Sequence, residues 1–84
     1  MKTEQTFSNG DPVNNYNATA IAEGFTQSEP TTEDYLAAWA YLIRTGLCWS
    51  LQGYFGRTAT NLIESGAITP EGHIDWVTVD ELIS

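Results

Sequence analysis

The chain has 84 residues, a mass of 9.3 kDa and a formal net charge of −8. Domains average about 100–200 residues, so this length excludes a second domain of ordinary size. Hydrophobic residues make up 42% of the chain and include three Trp, four Tyr and three Phe. That content supports a packed core and excludes a wholly disordered chain.

The charge balance excludes several classes of partner. The basic residues are Lys2, Arg44 and Arg57, against eleven Asp and Glu. Direct nucleic-acid binding requires a basic stripe and binding to an anionic membrane requires a basic patch, so we expect neither. No apolar run approaches the roughly 18 residues of a membrane span, and the N-terminus lacks the apolar segment of a secretory signal. A single cysteine, Cys48, excludes an intramolecular disulfide and favours a cytosolic protein.

Residues 1–30 differ in composition from the rest of the chain. They are rich in Asn, Thr, Ser, Gly and Gln, and their few apolar residues follow no helical or strand period. We interpret this segment as a flexible or extended arm with at most a short turn near residues 18–23. Two interpretations stay open, a disordered tail and an arm that orders on a partner.

The sequence predicts a helix over residues 32–45. Thr31 followed by Asp34 has the spacing of a capping box, Arg44 lies in the last turn, and Gly46 is the expected C-cap. Apolar residues recur at the three-to-four spacing of one helix face, at Tyr35, Leu36, Trp39, Leu42 and Ile43.

A second helical region follows. Leu47 and Leu51 allow one or two helical turns, and Gly53 and Gly56 are expected to bracket a bend. Residues 57–65 then predict a short helix that Gly66 ends.

The C-terminal segment permits two structures. Residues 68–69 and 73–79 pair in a small hairpin around the turn 70–72, with Val77 and Val79 on one face. Alternatively, the capping-box spacing from Thr78 to Glu81 starts a short helix. The predicted fold is therefore mainly α: a small helical domain over residues 31–84 with a short C-terminal hairpin or irregular element.

The sequence offers little that could carry catalysis. Cys48 is interpreted as a small core residue and His73 as an exposed turn residue, rather than as a nucleophile and its base. No set of ligands has metal-binding spacing, and the glycines near Arg57 lack the lysine of a phosphate loop. We therefore expect no enzyme, no cofactor and no metal.

Aromatic and acidic residues supply the candidate binding site. Trp39 and Trp49 are expected in the core, and of Tyr54 and Phe55 we expect one buried and one exposed. Trp76 is either packed on the helices or an interface anchor. Residues 67–84 contain four carboxylates and no basic residue. The predicted partner-binding residues are Glu71, Asp75, Trp76, Asp80, Glu81 and Tyr54.

Residues 45–66 read TGLCWSLQGYFGRTATNLIESG. They contain Thr-Gly-Leu, Trp-x-Leu-Gln-Gly, Gly-Arg-Thr-Ala, Leu-Ile and a closing Gly. This segment resembles a family of short bacteriophage proteins of unknown function. The resemblance implies a phage origin and a location in the cytoplasm of an infected bacterium. We interpret Gln52 and Arg57, the polar residues of the motif, as hydrogen-bonding to backbone carbonyls across the predicted bend.

These observations favour a non-enzymatic protein that binds and modulates a host protein. Its acidic segment would enter a basic groove that normally holds nucleic acid, which would make it a mimic that inhibits a host defence or transcription machine. One alternative is a small phage structural or assembly protein. A second is a winged-helix DNA binder, because residues 59–69 and the turn 70–72 look like a recognition helix and wing. The sequence does not indicate an oligomeric state.

Overall fold

The computed structural model describes residues 7, 10, 12–24, 31–51 and 53–83, with the side chain of residue 83 left aside. Within these ranges the chain forms five helices and no strand, which confirms a mainly helical small domain. The helices are α1 (Asn15–Glu23), α2 (Thr32–Thr45), α3 (Leu47–Ser50), α4 (Gly53–Ser65) and α5 (Trp76–Ile83).

Residues 15–23 form a helix, where the sequence predicted an extended arm with a short turn near residues 18–23. The Asn14 side chain caps α1 by accepting a hydrogen bond from the Asn17 amide at 2.8 Å, and Gly24 ends the helix at φ +81°. The buried residues of α1 are Ala18 and Ala22. Alanine gives a helix face little hydrophobic contrast, so the periodicity is weak. Residues 1–6, 8, 9, 11 and 25–30 of the predicted arm lie outside the described residues.

The prediction for α2 is confirmed at both ends. The Thr31 hydroxyl accepts a hydrogen bond from the Asp34 amide at 3.0 Å, and Gly46 takes a left-handed conformation at φ +80°. The buried positions follow the helical period, at Leu36, Ala38, Trp39, Ala40, Leu42 and Ile43. This helix supplies the largest share of the core.

Helix α4 is longer than predicted because it begins at Gly53 and runs through Gly56. The predicted bend at Gly53 and Gly56 is absent from this helix. The chain instead leaves the helical conformation before α4, at Leu51, which is extended at φ −88° and ψ −173°. A Cβ at Gly56 would lie 3.8 Å from the ring of Trp49, an ordinary contact distance, so the indole lies beside this part of the helix and an alanine would also fit. Gly66 ends α4 at φ +87°, as expected.

The C-terminal segment combines features of both predicted structures. Ile68 and Ile74 form one isolated antiparallel bridge around the turn, and α5 begins directly afterwards. The helix is capped by Asp75, whose carboxylate accepts from the Thr78 amide at 3.2 Å, and not by Thr78. Val77 is therefore 71% exposed and Val79 only 4%, so these two residues do not share a face.

The core is organised around the fully buried Trp39. Its ring centroid lies 6.4 Å from that of Tyr35, 6.4 Å from that of Tyr54 and 5.8 Å from that of Phe55. The Tyr54 hydroxyl donates to the carbonyl of Ala22 at 3.0 Å, which adds α1 to the contact between α2 and α4. Truncating a core aromatic side chain of this kind costs about 3–5 kcal/mol.

The turn after the bridge docks directly on α2 through Gly72. This residue has φ +90°, and a Cβ there would lie 2.6 Å from the Arg44 Cβ and 2.8 Å from the Ala40 carbonyl oxygen. The Arg44 guanidinium donates to the Gly72 carbonyl at 3.1 Å. The backbone thus approaches α2 at a distance that only glycine permits.

Replacing Gly72 with alanine should strongly destabilise the protein. The change adds left-handed backbone strain, about 1–3 kcal/mol, to a steric overlap with α2. Gly46→Ala is the matched control, since Gly46 has φ +80° but open space around its Cβ position. Urea denaturation should show a clearly larger loss for Gly72→Ala, and equal losses would contradict the close approach.

Cys48 should be chemically inert in the folded protein. Its side chain is fully buried, and burial raises the pKa of the thiol. Because the thiolate is the reactive form, we expect no reaction with Ellman's reagent at mildly alkaline pH and rapid reaction in denaturant. Equal rates in both conditions would show that Cys48 is accessible.

Candidate protein-binding surface

Helix α5 presents an outward face that is both apolar and acidic. Trp76 is 45% exposed and Val77 is 71% exposed, and Asp80 and Glu81 are also exposed. Positions separated by four residues lie on the same side of a helix, so these four side chains form one surface. We call them the α5 face. Val79, 4% exposed, points the other way into the core.

Asp75 and Glu71 extend this surface toward the turn. Both residues are exposed. The Asp75 carboxylate is held at the N-terminus of α5 by its hydrogen bond from Thr78, and a negative charge is favourable at that end of a helix. Glu71 lies in the turn that docks on α2 through Gly72. Five of the six predicted binding residues therefore belong to one continuous segment, residues 71–81.

Backbone contacts fix the position of α5. The Asp75 amide donates to the Ala67 carbonyl at 2.8 Å. A Cβ at Gly66 would lie 3.3 Å from the Thr78 Cγ2 atom, so α5 packs closely over the end of α4. The α5 face is thus presented by an anchored helix, which lowers the entropy lost when a partner binds.

Tyr54 occupies a different part of the molecule. It lies in the first turn of α4, whereas α5 packs beside Gly66 at the other end, about 18 Å away along the helix axis. Tyr54 is 45% exposed, and its hydroxyl donates to the Ala22 carbonyl. Phe55 is 3% exposed, which confirms that one residue of this pair is buried and the other exposed.

Tyr54 instead borders a shallow groove between α1 and the start of α2. Tyr35 lines the same groove, together with Ile21, Ala22, Glu23, Gly24, Thr31 and Thr32. Burial, and to a smaller extent the neighbouring Tyr54, raise the pKa of Tyr35, so this hydroxyl stays protonated at neutral pH. The indole N–H of Trp39 meets no acceptor in strict hydrogen-bond geometry among the described residues, but the Tyr35 hydroxyl is near enough for the indole to lower the pKa of Tyr35 in part.

The two residues considered for nucleophilic chemistry differ sharply in exposure. Cys48 lies in α3 and its side chain is fully buried, while His73 is exposed at the end of the turn. The raised pKa of Cys48 is the reverse of what an activated nucleophile requires. Within the described part of the chain, no three His, Cys, Asp or Glu residues lie close enough together to hold a metal ion.

Sequence reasoning missed three exposed apolar side chains. Trp49 was expected in the core but is 53% exposed, so that prediction is wrong. Val77 and Leu82 are 71% and 58% exposed and were not considered as binding residues. The position of Asp75 is a sequence signal that could have identified Val77. If Asp75 is taken as the N-cap, α5 begins at Trp76 and Val77 lies next to Trp76 on the exposed side of the helix.

Comparison with known proteins identifies a family. None of the described helices has the length and apolar character needed to cross a membrane. The family model described as "Domain of unknown function (DUF7417)" matches residues 23–83, which include α2 to α5 and the whole α5 face. No curated protein and no solved structure matches the chain. Since this match covers more than two thirds of the sequence, the chain belongs to the DUF7417 family of domains of unknown function.

Proposed function

We propose that this protein is a non-enzymatic binding protein that docks its α5 face, with Glu71 and Asp75, on a basic surface of a partner protein. One observation carries the proposal: two large apolar side chains and two carboxylates share the exposed side of a single anchored helix. A half-exposed Trp is a typical interface anchor, and surrounding charges set partner choice and association rate.

The charge of this segment indicates the kind of partner. Residues 67–84 carry four carboxylates and no basic side chain, a local charge of −4. A row of carboxylates beside an aromatic ring resembles the phosphates and bases of nucleic acid in its chemistry. The proposed partner is therefore a protein with a basic groove for nucleic acid, and binding would block that groove.

The source and setting of the protein form part of the same proposal. The motif at residues 45–66 supports a phage origin, and small acidic proteins without catalytic groups suit the inhibition of a host machine. The proposed partner is accordingly a defence or transcription protein of the infected bacterium, encountered in its cytoplasm. Neither nucleic acid nor a membrane is expected to bind directly, because the exposed side of α5 is acidic.

The first test is capture of partners by the tagged full-length chain from a bacterial lysate at low and high salt. A host protein that is bound at low salt, lost at high salt and displaced by duplex DNA would support the proposal, since the interaction depends on charge. A complex insensitive to both salt and DNA would contradict the mimicry of nucleic acid.

Two matched double variants distinguish the contribution of the α5 surface to binding from the contribution of the overall net charge. Glu71→Gln with Glu81→Gln, and Glu33→Gln with Glu64→Gln, each remove two exposed carboxylates. Only the first pair should weaken the captured complex, by roughly tenfold if each exposed charge contributes about 0.7 kcal/mol. Equal weakening by both pairs would show that net charge, and not the α5 surface, drives binding.

The same preparation distinguishes the alternatives. Recovery of only further copies of this chain, or of phage proteins, would favour a structural or assembly role. We expect no shift of duplex DNA in a gel at low salt, and a shift would favour the winged-helix alternative.

A further inference from the structure

A second surface lies between α3 and residues 53–61 of α4. It is a shallow, open cleft of about 560 Å³ lined by Trp49, Gly53, Gly56, Arg57, Thr60 and Asn61. We call it the α3–α4 cleft. The Trp49 ring lies near Gly56, where a Cβ would stand 3.8 Å from it, and the side chain is 53% exposed. The indole therefore offers an aromatic surface to solvent beside α4.

The cleft contains a cation, Arg57, that pairs with no carboxylate among the described residues. Arg57 is exposed and makes no hydrogen bond or ion pair with any described residue. The interpretation that Arg57 binds backbone carbonyls is therefore not supported, and Gln52 lies outside the described residues. The Nη1 atom of Arg57 lies 3.2 Å from the position that a Cβ on Gly53 would take. Arg44 is occupied in contrast, because it donates to the Gly72 carbonyl and lies 5.9 Å from the centre of the Tyr41 ring.

The lining of the cleft determines what it can accept. Its described lining residues offer a half-exposed indole, a guanidinium, an amide and a hydroxyl, and none of them is a carboxylate. Guanidinium pairs with a carboxylate through two parallel hydrogen bonds, and an indole face favours an apolar or aromatic group. In a chain of net charge −8, a ligand with one negative charge meets less repulsion than a polyanion.

We propose that the α3–α4 cleft binds a short peptide segment of a partner protein in which an acidic side chain adjoins an apolar or aromatic one. The carboxylate pairs with Arg57, the apolar group covers the exposed face of Trp49, and Asn61 and Thr60 bond to the peptide backbone. This surface is separate from the α5 face and has the opposite charge preference. The inference therefore stands or falls independently of the proposed function.

The test uses two capped dipeptides that differ in one charge, acetyl-Phe-Asp-amide and acetyl-Phe-Asn-amide. Each is titrated into the ¹⁵N-labelled full-length chain and followed by NMR. With the Asp peptide, shifts should concentrate on the Trp49 indole N–H, the amides of Gly53 and Gly56, and the Arg57 Nε–H. The Asn peptide should bind about fivefold more weakly, as expected for the loss of one exposed ion pair.

Variants assign the difference to one residue. Arg57→Gln should remove the preference for the Asp peptide, whereas Glu64→Gln, a change at another exposed position of α4, should keep it. The spectrum of each variant without peptide shows that it is folded. The proposal is overturned by absence of shifts, by shifts outside the cleft, by equal binding of both peptides, or by an unchanged preference in Arg57→Gln. Stronger shifts at the same residues with a single-stranded oligonucleotide would also overturn it, in favour of nucleic acid.

Discussion

The burial of Trp39 is the contact on which the arrangement of α1, α2 and α4 depends. Its ring contacts Tyr35 of its own helix and both Tyr54 and Phe55 of α4, while Tyr54 reaches across to the backbone of α1. In a chain of this length, which buries only roughly 60–65% of its unfolded surface, few other residues can make a comparable contribution.

Gly72 connects this core to the surface that we propose for binding. Its contact with α2 positions the turn. The bridge between Ile68 and Ile74 and the hydrogen bond that the Asp75 amide donates then position the start of α5. Among the described side chains of α5, only Val79 is deeply buried. The orientation of the helix therefore depends on these backbone contacts more than on the packing of its side chains. The location of the binding surface is therefore coupled to the stability of the domain.

The two proposed surfaces use the charges of the chain in opposite ways. The α5 face has carboxylates around exposed apolar groups, and the described lining of the α3–α4 cleft has a guanidinium beside an indole. They lie toward opposite ends of α4, because α5 packs at Gly66 and the cleft is built on residues 53–61. Under the two proposals, one small domain engages a basic partner and an acidic peptide at the same time. This would suit a protein that modulates an assembly rather than a single isolated enzyme.

The sequence by itself determined the features that depend on neighbouring residues: both ends of α2, the end of α4 at Gly66, the mainly helical class and the acidic C-terminal segment. Caps, helix-ending glycines and strong periodicity act over a few residues and can be recognised without the fold. Only the tertiary structure decided that α1 packs through alanines, that Trp49 stays exposed beside α4, and that Tyr54 lies far from the α5 end of α4. The physical reason is that exposure and proximity depend on which distant surfaces cover a side chain, and local patterns carry no information about those surfaces.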